Sequence, residues 1–515
     1  MPTRWSTFPV EFRGGLISSL SPLQHGANAV GSAAFLQNYE PSKEGGYKKI
    51  LGYKKYIDDQ VPGIGPMLGV KVANPSRVIA VRQNASNVSE YYINDASTWN
   101  SLGSATGLGG RVSSQEFNFD GNKKIFFVDG VNSPAIWEDA TDTLSFPSGY
   151  PSDVVGAEFL EIYKQHIFVS KGSKLSFSAP YDETNFDVAA GAGIIDVGHT
   201  ITGLKVFRDQ LFIFSRNSIQ RLVGNSVADF QLLPVTKDIG CISGATIQEV
   251  GGDVMFLAVD GLRLLSATDR IGDFNIGLPS QLIEKDVLRF ISNYNIFTSL
   301  VIRGKSQYRI FGYQSSENKK TTKGLLTTKF AAQGPEGFQW AQTQGIKAFV
   351  ADGRYVPDFE VIVFAADDGY VYRLETGSSF DGENIQAIYE SPFMPIEDPK
   401  MRKTLYKMTL YVETSGLFKL NLDFNFDLYK IKNYNEQVQP ATIVLQNLEN
   451  SQVFIYGSTE TVYGDAFYGQ ELDKVYNTPV IGAGNTFSFR IEDNSTNPSH
   501  SLDTALFEYA TFDRR

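Results

Sequence analysis

The sequence predicts an all-β fold: a six- or seven-bladed β-propeller with an N-terminal extended arm before it and a C-terminal β-sandwich or barrel domain after it. Three observations carry this. Apolar runs closely followed by turns recur at residues 124–128, 166–170, 210–214, 253–257, 307–312 and 360–364, with a weaker run at 77–81. Counted from Val78, Ile125, Ile167, Leu211, Val254, Tyr308 and Val361, the steps are 47, 42, 44, 43, 54 and 53 residues, against about 40–50 for a four-stranded blade. Asp-Gly pairs punctuate the same region, beginning at Asp120, Asp129, Asp260, Asp352, Asp368 and Asp381, and Gly supplies the positive φ of tight hairpins. Further on the pattern becomes strict alternation. Phe418, Leu420, Leu422, Phe424, Phe426 and Leu428 interleave with Lys419, Asn421, Asp423, Asn425 and Asp427, as in a long strand with one buried face.

Residues 1–56 lack the blade cadence. Gly14-Gly15 and Ser21-Pro22 break any period up to Leu23, so an extended arm is expected, and residues 38–56 read as two short strands around a turn at 43–46. Residues 57–390 carry the propeller. Its two longer steps have visible causes. Residues 279–292 read as a short amphipathic helix, with Ser280 as N-cap and Ile283, Val287, Phe290 and Ile291 on one face. Residues 315–329 read as a polar, Lys-rich loop. Three prolines within 391–403 mark the boundary to the C-terminal domain, residues 391–515. Tyr406, Met408, Leu410 and Val412 predict a further strand there, and Phe487, Phe489 and Ile491 another. The Gly- and Tyr-rich residues 458–477 predict a projecting loop.

Composition suits a folded chain with a sizeable core: 515 residues, 42% hydrophobic and 20% charged, with 37 Phe and 25 Tyr that favour sheets. A net charge of −11 argues against a general nucleic-acid binder. Cys241 is the only cysteine, so no intrachain disulfide forms, and its neighbours Ile239 and Ile242 predict a core position. His25, His166, His199 and His500 stand far apart in no metal-binding spacing, so neither metal nor cofactor is expected. Asp58-Asp59, Asp367-Asp368 and Glu492-Asp493 fall at predicted turns and read as backbone caps rather than as a glycosidase pair. The sialidase Asp box and the Trp-Asp dipeptide are both missing. No catalytic residue is therefore assigned, and the chain is not expected to be an enzyme. Asp423, Asn425 and Asp427 could hold Ca²⁺, but read better as a solvated strand face. Lys319, Lys320, Lys323 and Lys329 read as a solvated loop sooner than a phosphate contact. No apolar h-region precedes Leu20 and no apolar run approaches the ~20 residues of a membrane helix. A chain made in the cytoplasm, without signal peptide or membrane insertion, is expected.

The arm is the specific part. It reads Phe12-Arg13-Gly14-Gly15-Leu16, then a stretch from Asn28 to Phe35. It continues Leu36-Gln37-Asn38-Tyr39-Glu40-Pro41-Ser42-Lys43-Glu44-Gly45-Gly46-Tyr47-Lys48-Lys49 and ends at Gly52-Tyr53. This resembles the opening of the tail nozzle proteins of short-tailed bacteriophages, also called packaged-DNA stabilisation proteins or tail tubular protein B. In that family an early Gly-Gly-Leu and an Asn-containing strand precede a Gly turn, a basic pair and another Gly. The basic pair is often Arg there and is Lys48-Lys49 here. The resemblance implies a structural virion protein of the tail. It implies a homo-oligomer, a hexameric ring below the portal and the head-to-tail adaptor ring. Such a ring continues the DNA channel, retains the packaged genome, lets DNA pass without specific binding, and carries tail fibres or spikes. An extended arm suits docking between subunits, and its residues would be Phe12, Arg13, Gly14, Gly15, Leu16, Asn38, Gly45, Gly46, Lys48, Lys49 and Gly52.

Residues 433–512 contain ten Asp and Glu against only Lys474 and Arg490. Basic contacts to phosphates add affinity steeply through counterion release. An acidic lining would therefore lower friction on passing DNA, and Glu460, Asp465, Glu471 and Asp473 are the expected channel-facing residues. The alternative is a carbohydrate-binding or carbohydrate-cleaving propeller, a tailspike-like adhesin. It should show a pocket at the propeller axis with convergent carboxylates and aromatics.

Overall fold

The recurring apolar runs are the second strands of seven successive antiparallel sheets. In the computed structural model, residues 5–266, 278–316, 319–331, 337–356, 359–414, 416–427, 442–446 and 472–512 are described. Sheet 1 comprises Ile64–Asn74, Arg77–Gln83, Ser89–Asp95 and Thr98–Ser104; sheet 2, Ser113–Phe117, Lys124–Val128, Ala135–Glu138 and Thr143–Ser145. Sheet 3 comprises Phe159–Tyr163, His166–Lys171, Lys174–Phe177 and Gly193–Asp196; sheet 4, Ile201–Phe207, Gln210–Ser215, Ile219–Val223 and Gln231–Thr236. Sheet 5 has three strands among the described residues, Gln248–Val250, Asp253–Ala258 and Gly261–Leu264. Sheet 6 comprises Ile296–Ile302, Gln307–Ser316, Lys319–Lys329 and Phe338–Thr343. Each second strand is paired on both sides and covered on both faces, as Asp253–Ala258 shows by being buried along its whole length. A strand covered on both faces needs an unbroken apolar run rather than an alternating one, which is why these strands stand out in the sequence.

Sheet 7 closes the ring. Its strands Val350–Val356, Phe359–Ala365 and Val371–Leu374 take their fourth member, Tyr53–Lys55, from the start of the chain, in the register Leu374↔Tyr53 and Tyr372↔Lys55. The first strand of sheet 7 lies against that of sheet 1, where the Val72 N–H donates to Asp352 Oδ2 at 2.8 Å. Each gap in the arc of sheets 1 to 5 has its own apolar filling. Ile79, Tyr91, Phe127 and Trp137 fill the first, Phe168, Leu175, Leu204 and Leu211 the third, and Phe214, Cys241, Val254 and Phe256 the fourth.

The C-terminal domain is a two-sheet sandwich, and the arm is woven into both sheets. One sheet runs in the order Tyr39–Pro41, Tyr47–Lys49, His500–Phe512, Arg402–Thr414 and Leu472–Gly484, with Ser6–Glu11 also paired to His500–Phe512. The other continues sheet 6 of the propeller. Phe35–Gln37 pairs in parallel with Phe338–Thr343 and antiparallel with Ile385–Glu390, after which come Phe487–Ser495, Lys419–Phe426 and Ile443–Gln446. Between the sheets Met408, Leu410, Leu422, Phe424, Phe489 and Phe507 pack into one cluster.

The hairpin expected within 38–56 is present, and the alternating strand Lys419–Phe426 buries every second side chain. The helix is present as Glu284–Asn293 behind a 3-10 turn, and it buries Val287 and Phe290. Other expectations are corrected. The arm is not a separate unit. Residues 315–329 are not a loop, because Lys319–Lys329 pairs with Gln307–Ser316 along its length. Asp352-Gly353 and Glu492-Asp493 lie inside strands rather than at turns. Ser280 makes no side-chain cap; its Oγ accepts from Leu262 N–H at 3.1 Å. A bulge between Leu405 and Lys407 turns Tyr406 away from Met408, Leu410 and Val412, so that it stacks on Trp5 with centroids 5.1 Å apart. Of the expected loop 458–477, residues 458–471 lie outside the described residues and the rest opens the strand Leu472–Gly484. Among the described residues no helix is long and apolar enough to cross a membrane.

Candidate functional site

The first strand of each sheet is innermost, and polar side chains from these strands converge at the axis. Lys71 Nζ of sheet 1 lies 3.3 Å from Asp352 Oδ1 of sheet 7. Glu161 of sheet 3 is 7% exposed and accepts from Gln115 Nε2 of sheet 2 at 3.0 Å. Burial raises the pKa of the Glu161 carboxyl, with Lys205 of sheet 4 and Lys71 among the groups pulling the other way. Arg111, just before sheet 2, reaches across to sheets 6 and 7. Its Nη1 donates to the Phe297 and Phe349 carbonyls at 2.9 and 3.2 Å, and its Nη2 to Thr298 Oγ1 at 2.6 Å. Burial brings this guanidinium down to about 10. A carboxyl that holds its proton more tightly, clustered with a second carboxylate and two ammonium groups, can hydrogen-bond hydroxyl groups or donate a proton.

Sequence reasoning missed this cluster. A signal existed in the pairing: Lys71 stands opposite Ile79, Gln115 opposite Phe126, Glu161 opposite Phe168, Lys205 opposite Phe212 and Asp352 opposite Val363. Folding each apolar run back on the strand before it would have put a polar residue against its middle every time.

The arm residues expected to dock on a neighbouring subunit are, Arg13 excepted, seated against their own chain. Phe12 is buried and meets Tyr389 edge-on at 4.9 Å. Gly14 and Gly15 both have positive φ, and a Cβ on Gly15 would lie 2.6 Å from Trp340 N. The Leu16 N–H donates to the Trp340 carbonyl at 2.7 Å. Asn38, at φ +53, donates through Nδ2 to the Gln344 and Gln386 carbonyls at 3.0 and 2.9 Å and accepts from Gln344 N–H at 2.9 Å. Gly45 and Gly46 form the hairpin turn at positive φ, and Lys48 pairs with Glu40 and Ser501 in the sheet. A Cβ on Gly52 would lie 1.9 Å from the Ser379 carbonyl oxygen. Arg13 stays exposed beside Glu11.

Lys49 is the chemical centre of this joint. Its side chain is fully buried, 2.9 Å from Asp493 Oδ2, and it also donates to the Ser495 carbonyl at 3.0 Å. Burial lowers the Lys49 pKa and raises that of Asp493, and in each case outweighs their mutual attraction. His500 joins them, with Nδ1 3.6 Å from Asp493 and Nε2 2.8 Å from the Tyr39 hydroxyl. Burial, then Lys49, holds His500 down to about 3. A second ionic group ties the hairpin to sheets 6 and 7: Arg309 Nη2 lies 2.9 Å from Glu40 and 2.8 Å from Glu375, and Lys305 lies 2.6 Å from Glu40. These partners come from three distant stretches, and nothing in the sequence pairs them.

The remaining candidates are dispersed. Cys241 is buried as expected, and burial raises its thiol to about 11. His25 sits 2.7 Å from Ser32 Oγ and burial lowers it to about 4. Asp423 accepts from Thr442 Oγ1 at 2.5 Å, while Asp427 accepts from Asn485 N–H at 2.6 Å. Lys329 donates to the Gly251 carbonyl at 2.8 Å, and burial lowers the Lys323 pKa. Glu460, Asp465 and Glu471 lie outside the described residues; Asp473 lies in the strand Leu472–Gly484 opposite Glu413.

No family model and no curated protein matches the chain. Among solved structures, an exo-β-1,3-galactanase from Phanerochaete chrysosporium aligns at 8% identity and TM-score 0.26, over 89% of this chain and 100% of its own. A glycoside hydrolase family 43 arabinoxylan arabinofuranohydrolase from Bacillus subtilis aligns at 9% and 0.28, over 89% and 97%. The extracellular domain of a one-component system from B. thetaiotaomicron aligns at 9% and 0.37, over 71% and 44%. Two of the three are glycoside hydrolases, and on that finding the expectation that the chain is not an enzyme is withdrawn. At these identities and TM-scores the likeness carries no activity over to this chain.

Proposed function

We propose that the chain is a structural subunit of a short-tailed phage tail, a nozzle component that assembles into a ring and continues the DNA channel. One observation carries the reading: the arm residues on which the family resemblance rests are those that build the joint. Gly15, Asn38, Lys49 and Gly52 each meet a constraint there that another residue type would break. A chain sharing that pattern therefore shares the propeller-and-sandwich body, not merely a leader sequence. In this reading subunits meet through outer surfaces of that body, and part of the acidic stretch 433–512 faces the channel. Electron microscopy of the purified full chain tests it, alone and on virus particles. Rings with an axial bore, placed below the adaptor, are expected; a compact monomer at every concentration would overturn it.

A second reading, a carbohydrate-binding or carbohydrate-cleaving propeller, is favoured by the axial cluster of Glu161 and Asp352. Its test is polysaccharide binding and turnover by the full chain. Loss of both in Glu161→Gln, with the fold kept, would place the site at the axis.

A further inference from the structure

Where the fourth strand of sheet 7 meets sheet 1 lies a cleft of about 640 Å³, within the size range of small-molecule sites. Lys54, Lys55, Arg77 and Arg373 line it, with Asp95 as the single carboxylate and Tyr56 on its wall. In a chain of net charge −11, such a concentration of cations is against the general balance. Two of the four have counter-ions at the rim: Lys55 lies 3.5 Å from Asp381, and Arg77 2.5 Å from Asp142. The other two do not. Lys54 and Arg373 are exposed, and neither has an ion-pair partner among the described residues.

Their placement is unfavourable for folding alone. Lys54 and Arg373 stand directly opposite each other in the ladder that closes the ring, and like charges directly opposite on neighbouring strands are destabilising. An anion between them would convert this repulsion into attraction, and clefts lined by one sign of charge concentrate the opposite sign. A guanidinium beside ammonium groups suits the oxygens of a phosphate or carboxylate. Tyr56, with Ile57 and Pro75 beside it, offers an apolar wall to the body carrying that group.

We propose that this seam cleft binds a small organic ligand through an oxyanion, phosphate or carboxylate, held between Lys54 and Arg373. The proposal is independent of either functional reading above. Titration calorimetry on the full chain tests it with glucose 6-phosphate, glucuronate and inorganic phosphate as separate probes. Saturable binding of at least one sugar anion is expected, weakened about tenfold or more in Arg373→Gln and in Lys54→Gln. Preference for the sugar phosphate assigns a phosphate ligand; preference for the uronate assigns a carboxylate. Both variants relieve the cross-strand repulsion, so their melting temperatures should equal or exceed that of the parent, which separates lost binding from lost folding. Tyr56→Ala should weaken the sugar anion more than inorganic phosphate. Binding unchanged in Arg373→Gln, no binding of any probe, or inorganic phosphate bound as tightly as the sugar anions would each overturn it.

Discussion

The arc of sheets 1 to 5 and the joint between propeller and sandwich are both apolar cores, but they draw on different distances along the chain. In the arc, adjoining sheets fill the gap between them: Leu175 of sheet 3 packs with Leu211 of sheet 4. At the joint, Phe12 and Tyr47 meet Tyr389 and Phe489, and Lys49 meets Asp493. Each arc contact closes a short loop and has near copies around the ring, whereas the joint closes loops spanning most of the chain, once. Charges differ in the same way. Arc ion pairs such as Lys174–Asp153 are part-exposed, and the joint pair is fully buried. The same kind of substitution should therefore cost far more at the joint.

The largest contrast should come from the lysines. Lys49→Ala leaves Asp493 buried and unpaired and should cost about 3–5 kcal/mol in urea unfolding. Lys174→Ala, at a pair open to solvent, should leave urea unfolding nearly unchanged. Equal costs would break the comparison. Lys49→Met combined with Asp493→Leu should recover most of the loss, because apolar replacements of both partners leave no stranded charge.

Glycines give the next contrast. A methyl on Gly52 meets the Ser379 carbonyl, whereas one on Gly121, at φ +91 in the sheet 2 hairpin, meets nothing within 4 Å. Gly52→Ala should cost about 3 kcal/mol through displaced backbone. Gly121→Ala should cost about 1–2 kcal/mol from conformational strain alone. Thermal or urea unfolding of the two variants side by side checks this.

Acid should loosen the joint before the arc. His25 and His500 are buried with folded pKa values near 4 and 3, below the ordinary 6.5. The unfolded chain binds their protons first, so stability falls as pH drops below about 6.5 and continues to fall until the folded values are reached. Each histidine should remove about 1.4 kcal/mol per pH unit well inside that window. His500→Gln should roughly halve the slope between pH 6 and 4.5, measured by urea unfolding at each pH. An unchanged slope would place the acid sensitivity elsewhere.

The smallest effect is expected in the arc. Cys241 is buried with its thiol raised to about 11, so native protein at pH 8 should react with iodoacetamide at under about a tenth of the rate of a free thiol. Fast labelling without unfolding would mean that the gap between sheets 4 and 5 opens locally.

The same difference governs what could be read beforehand. The runs that became Lys124–Val128 and Asp253–Ala258 were plain in the sequence, as was the alternation of Lys419–Phe426. Lys319–Lys329 was not, because its lysines and threonines resemble a loop until Gln307–Ser316 pairs with it. Glu161 and Asp352 looked like ordinary polar residues between apolar ones, and only ring closure brings their strands to one axis. The seat of the arm motif was not legible either, since nothing in Gly-Gly-Leu says that it will approach Trp340.

By itself the sequence determined the strands and their cadence, because a doubly covered strand needs an unbroken apolar run and a tight turn needs glycine. It likewise determined that Cys241 would be core and that the C-terminal strands would each bury one face. Tertiary structure alone decided that Tyr53–Lys55 closes the ring, that the arm is mortar between two sheets, and that Lys54 faces Arg373. Those outcomes depend on pairings between stretches hundreds of residues apart, and such pairings leave no periodicity in either partner.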